Sequence, residues 1–188
     1  MGVPARLHSY SFRDYLVVEE MSGVKNEYLD GEIYAMAGGS ARHAALSMRV
    51  GTALSSQLRS GGETFSSDLR IRVLSTGLAT YPDVTVVCGP LERDPESKDT
   101  VVNPTLVVEV LSASTIAYDL GQKFEHYRSI PSLQAVVYVW QDQPRLEVRE
   151  RAGDAWRTTV TEGQGTAVIS ALDCRLELAT LYDRAPGT

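Results

Sequence analysis

The sequence predicts an α+β (mixed α/β) fold: a central mixed β-sheet flanked by helices, with a C-terminal antiparallel meander. Three observations predict it. Segments with helical apolar spacing and β-branched runs follow one another along the chain. The run Leu106-Val107-Val108-Glu109-Val110-Leu111 is apolar apart from one acid, as a strand covered on both faces would be. From Ala135 onward, short strand-like segments recur at near-regular spacing with turns between them.

The elements can be justified in order. Ser11 is a plausible N-cap for a helix through Met21, and Gly23 a stop. Asp30-Gly31, inside Glu27 to Met36, is a two-residue hairpin signal. Ala37 to Ser40 reads as a loop. From Arg42 to Arg59, the spacing of Ala45, Leu46, Val50, Ala53, Leu54 and Leu58 is that of an amphipathic helix, ended by Ser60-Gly61-Gly62. Thr64 to Leu74 alternates as one or two strands, and Asp83 to Cys88 is another. Gly89 to Asn103 is polar and charged and reads as an exposed loop. Pro104 introduces the strand of Glu109. Ser112 to Ser114 cap helical turns, Asp119 to Ser129 form a helix, and Ile130-Pro131-Ser132 break it. Ala135–Trp140, Leu146–Arg151 and Trp156–Thr161 make the meander, and Leu172 to Asp183 closes the chain as a mixed segment. The 188 residues suit one domain, with a core over about residues 11–141 and a β extension over about 142–183.

Composition narrows the function. A hydrophobic fraction of 43% supports a folded core. The net charge of −6 counts against a generic nucleic-acid coat, whose affinity rests on basic surface. It is compatible with a nuclease, whose acidic metal ligands contribute to that charge. Cys88 and Cys174 form no CxxC pair, which argues against a disulfide framework and a zinc ribbon. Cys88 reads as a small buried hydrophobe. A Cys88/His43 hydrolase has nothing in the sequence to bring its two residues together. No apolar run approaches a membrane span and no signal peptide is visible, so a soluble cytoplasmic protein is expected.

Two acids stand out. Glu109 interrupts a dry strand, and a lone buried carboxylate is costly unless paired, hydrogen-bonded or metal-bound. Asp83 follows Pro82 at a strand start, where it either caps a turn or faces a ligand at the strand's mouth. On neighbouring strands the pair would form a hard-oxygen site suited to Mg²⁺. Asp119, Lys123 and Tyr127 are spaced to share a helix face, so Lys123 is either half of a solvated ion pair or an ammonium turned toward the acids. Glu27 or Glu32, on either side of the Asp30-Gly31 turn, could complete the acidic cluster or be solvated, and His43 opens a helix, where it either bonds structurally or touches a phosphate or the water nucleophile.

Taken together, these pieces resemble a family. Glu27 to Ser40 with His43, Tyr81-Pro82-Asp83-Val84, Pro104 to Ser112, Ser114-Thr115, and Tyr118-Asp119 with Lys123, Tyr127 and Arg128 are similar to the Uma2 (DUF820) family of endonucleases, in the PD-(D/E)XK, restriction-endonuclease-like superfamily. Ile130 to Gln134 and the strand to Trp140 extend the resemblance. It implies a Mg²⁺-dependent DNA endonuclease, with Mn²⁺ as a possible substitute, that hydrolyses phosphodiester bonds with a metal-activated water. Asp83, Glu109 and the carbonyl of Val110 would be the metal ligands, and Glu27 the upstream acid. The superfamily's lysine position, two residues after the second acid, is Leu111 here, which makes Lys123 the substitute. The alternative is a catalytically inactive binding or scaffold protein on the same fold. Cleavage of two strands suits a homodimer, for which Tyr138, Trp140 and Trp156 of the meander are candidates, with core packing preferred for Tyr138.

Overall fold

The computed structural model describes residues 9–58 and 61–183. The described residues form a mixed α+β fold of two mixed six-stranded sheets and a C-terminal hairpin, flanked by helices. Helix α1 (Phe12–Met21) starts on a capping box in which Ser11 and Asp14 satisfy each other's backbone N–H. Strands β1 (Asn26–Leu29) and β2 (Glu32–Ala35) pair antiparallel around Asp30-Gly31, whose φ angles of 51° and 81° are those a type I′ turn requires. Helix α2 (Ala41–Ser55) is capped by Ser40 and buries Leu46, Val50 and Leu54. Past Leu54 the backbone tightens, with Gln57 and Leu58 both donating to the Leu54 carbonyl; the predicted end at Arg59 and Ser60 lies outside the described residues.

Strands β3 (Gly62–Ser66), β6 (Val84–Cys88), β9 (Leu106–Leu111), β10 (Ala135–Trp140), β11 (Arg145–Ala152) and β12 (Ala155–Glu162) form the central sheet, in the spatial order β12-β11-β10-β9-β6-β3. β9 and β10 are parallel, and the helical connection between them crosses over the sheet. Every residue of both strands is buried, which accounts for their apolar runs. On one face, Leu106, Val108 and Val110 pack against α2, the hairpin β13 (Thr166–Ile169)–β14 (Cys174–Glu177) and helix α5 (Leu178–Tyr182). On the other, Val107 and Leu111 pack with Phe124, Tyr127 and Tyr138. The meander is therefore part of the central sheet, and the C-terminal segment completes its core.

The second sheet has the order β2-β1-β5-β4-β8-β7, with β4 (Arg70–Arg72), β5 (Ala79–Thr80), β7 (Arg93–Asp94) and β8 (Ser97–Val101). The last two correct the expectation of an exposed loop over Gly89 to Asn103. Asp94 and Thr100 are buried there, held by Arg72 and Arg70, so polar residues that read as solvated bond to arginines of β4. Cys88 also departs from expectation: it is exposed at the end of β6, whereas Cys174 is buried.

The predicted helix Asp119–Ser129 is likewise different. It begins earlier, as α3 (Ile116–Tyr118), widens into a π-helical turn (Asp119–Lys123), and finishes as α4 (Phe124–Tyr127). Among the described residues, no helix is long and apolar enough to cross a membrane. Two of the aromatics considered for a two-fold interface, Tyr138 and Trp140, are buried, and Trp156 packs edge-on against Phe124.

Candidate active site

The site lies where β6 and β9 open at one end of the central sheet. The antiparallel register pairs Val84 with Val108. Continued by one pair, it sets Asp83 opposite Glu109, on the same face of the sheet. Asp83 stands just before β6, where Pro82 is tolerated. Its Oδ2 accepts the Val110 backbone N–H at 2.7 Å, closing the β6–β9 ladder with a side chain instead of a peptide group. His43, in the first turn of α2, reaches the same oxygen, with Nε2 3.2 Å from Oδ2. Gly39 permits that approach, since a Cβ there would lie 2.6 Å from His43 Nδ1.

Glu109 is 5% exposed. Its Oε1 accepts from Lys123 Nζ at 2.9 Å and from the Tyr127 hydroxyl. Lys123 Nζ is also 3.6 Å from Asp119 and 3.8 Å from Glu27. Glu27 in turn accepts from the Thr80 hydroxyl at 2.6 Å and from the Tyr118 hydroxyl. One buried ammonium thus faces three carboxyl groups, with Asp83 alongside.

The electrostatics follow from this imbalance. Burial pushes the Glu109 carboxyl up to about 8 against the opposing pull of Lys123, and Asp119 and Asp83 push the same way. Asp119 is raised for the same first reason, desolvation. For Lys123 desolvation favours the neutral amine, but Glu109, Glu27 and Asp119 outweigh it and hold the group protonated above its ordinary range. The hydrogen bond to Asp83 is the main cause of a raised His43 pKa, against the opposing effect of burial.

All five side chains singled out from the sequence, Glu27, His43, Asp83, Glu109 and Lys123, line one cavity of about 900 Å³, together with Val110, Tyr118 and Asp119. Among the described residues, no three His, Cys, Asp or Glu side chains form a ready-made metal cage. Sequence reasoning missed Tyr118 and Thr80 as the groups that fix Glu27. It gave Asp119 a place beside Lys123 and in the family resemblance, but none among the acids of the site. The available signal was Tyr118-Asp119 directly ahead of the helix face that carries Lys123.

A second network supports Asp83 from behind. The Tyr81 hydroxyl donates to Glu19 at 2.7 Å and accepts from Arg70 at 3.1 Å, and the buried Arg70 also holds Thr100 and Ser97. These bonds anchor the Tyr81-Pro82-Asp83 segment to α1 and to the second sheet.

The model of the Uma2 family, described as "Putative restriction endonuclease", matches residues 12–180. Two proteins of Synechocystis sp. (strain ATCC 27184 / PCC 6803 / Kazusa) are similar. The uncharacterized protein slr1290 is 42% identical over 142 residues, covering 75% of this chain and 74% of that protein. The uncharacterized protein sll1609 is 34% identical over 170 residues, covering 89% and 96%. The fold is also that of a crystal structure from Anabaena variabilis ATCC 29413, described as a putative nuclease belonging to DUF820. That likeness has a TM-score of 0.75 at 16% identity and covers 92% of this chain and 97% of the other.

Proposed function

The chain belongs to the Uma2 family, and on that premise we propose that it is a divalent-cation-dependent endonuclease that hydrolyses phosphodiester bonds in DNA. The observation that carries the reading is that Asp83, bonded to the backbone N–H of the residue after Glu109, lines one cavity with Glu109 and with the buried ammonium of Lys123. The donor set fits a hard cation. Glu109 is a desolvated carboxyl short of positive charge, and its Oε2, like Oδ1 of Asp83, takes no hydrogen bond among the described residues. Asp83, Glu109 and the carbonyl of Val110 would hold Mg²⁺, or Mn²⁺ in its place. When bound, such an ion supplies Lewis acidity toward the phosphate and an acidified water.

The protein's own groups do the rest. Val110 N–H and His43 fix the Asp83 carboxylate from two directions, which pre-orients it. Lys123 presents a fixed positive charge at the cavity wall, where negative charge develops on the phosphate oxygens. It replaces the lysine that would stand at Leu111, which is buried in the core instead. Glu27, both of whose oxygens are occupied by hydroxyls, serves as a countercharge that holds Lys123 in place. For cleavage of both strands the proposal includes a two-fold pair through the edge strand β12, and light scattering that shows only monomer removes that part.

The test is nicking of supercoiled plasmid with Mg²⁺ or Mn²⁺. Asp83→Ala and Glu109→Ala should each abolish it, and Lys123→Met should slow it by about 10²–10³-fold. Robust nicking by both acid variants would overturn the proposal.

A further inference from the structure

The helix that delivers Lys123 is irregular where it matters. In a regular α-helix each residue rotates by about 100°, so Asp119 and Tyr127 would end about 80° apart around the axis. The π-helical turn Asp119–Lys123 is wider, which cancels part of that drift. As a result Asp119, Lys123 and Tyr127 all face Glu109, with Lys123 and Tyr127 bonded to the same carboxyl oxygen.

A wide turn disturbs the regular ladder and leaves its carbonyls in need of donors. Two of them are served from the sheet beneath. The Tyr138 hydroxyl on β10 donates to the Asp119 carbonyl at 3.1 Å, and Arg149 Nη1 on β11 donates to the Leu120 carbonyl at 2.9 Å. Arg149 is itself fixed. Its Nε donates to Glu147 at 2.7 Å, and its guanidinium lies over the rings of Phe124, at 4.4 Å, and Tyr138, at 4.8 Å. The planar fork can bond two acceptors while stacking on aromatic faces, which a lysine at this position could not reproduce.

We propose that Arg149 and Tyr138 are positioning residues for Lys123: by capping the carbonyls of the π-helical turn they hold the helix in the widened form that aims the ammonium at Glu109. Neither touches the cavity. That this aim serves phosphodiester hydrolysis rests on the function proposed above. The aim itself does not, and the experiment separates the two.

Arg151 supplies the control. It lies on the same strand, stacks over Trp156, and caps the carbonyls of Arg128, Ile130 and Leu133, just beyond the helix and away from the wide turn. Acylation of Lys123 by an amine-reactive reagent, read by mass spectrometry under conditions where circular dichroism shows a folded protein, measures its seclusion. Arg149→Ala should raise the Lys123 labelling rate about tenfold and lower kcat for nicking about ten- to a hundredfold with KM little changed. Tyr138→Phe, which keeps the ring and the packing, should shift both in the same direction by a smaller factor. Arg151→Ala should leave both within about twofold of the parent protein, although it loses three hydrogen bonds where Arg149→Ala loses two. Lys123 as protected in Arg149→Ala and Tyr138→Phe as in the parent would overturn the proposal, as would an equal effect of Arg151→Ala. If Arg149→Ala does not fold, Tyr138→Phe alone decides. A parent protein that never nicks DNA overturns the nuclease reading, and the labelling result still decides the positioning role.

Discussion

At the scale of single residues, the geometry of the proposed site depends on residues that hold its side chains in place. Gly39 is the sharpest case. A methyl group there would press on the His43 ring, 2.6 Å from Nδ1 and 2.9 Å from Cγ, and tilt it off Asp83. Gly39→Ala should therefore slow nicking by about tenfold or more while leaving the melting temperature nearly unchanged; an unaltered rate would show that His43 does not matter for Asp83. Glu109 was legible in the sequence because it breaks a local rule, a charge in an otherwise dry strand; Asp83 was not decidable from its neighbours, since an acid after a proline at a strand start suits a turn cap equally well. Lys123 was not decidable there. Its i, i+4 relation to Asp119 suits a solvated pair equally well, and only the packing of the helix onto the sheet shows the ammonium 5% exposed among carboxyls.

At the scale of elements, the best-read segments are those whose local chemistry admits one answer. The Asp30-Gly31 turn is such a case, with both residues at positive φ. Gly31→Ala combines a left-handed backbone with a Cβ that would lie 2.1 Å from Ser9 Oγ, and should destabilise the fold by about 1–3 kcal/mol in urea titration. No measurable loss would mean that the turn relaxes freely. The β7–β8 hairpin was unreadable for the opposite reason. Its polar residues look solvated in sequence, and their partners, Arg70 and Arg72, come from another strand. The π-helical turn was also invisible, since its supporting donors lie on β10 and β11.

At the scale of the whole molecule, the C-terminal hairpin and α5 share one core with α2 and the central strands: Ala167, Ile169, Leu176, Leu178 and Leu181 pack with Leu46, Val50, Val108 and Val137. A chain ending after Glu162 should therefore show no cooperative melting transition, whereas in the full chain tryptophan fluorescence and far-ultraviolet circular dichroism should report coincident transitions. A truncated chain that melts cooperatively would show that the closing segment is an appendage. By itself the sequence determined the alternation of helices and strands, the hairpin turn, the buried acid and the family resemblance, because periodicity, turn chemistry and a charge in a dry run are local signals. The tertiary structure alone decided which face each acid shares, that one ammonium answers three carboxyls, and that an arginine of β11 bonds a carbonyl of the helix bearing it. Those are facts of register and packing between segments distant along the chain, and no local pattern encodes them.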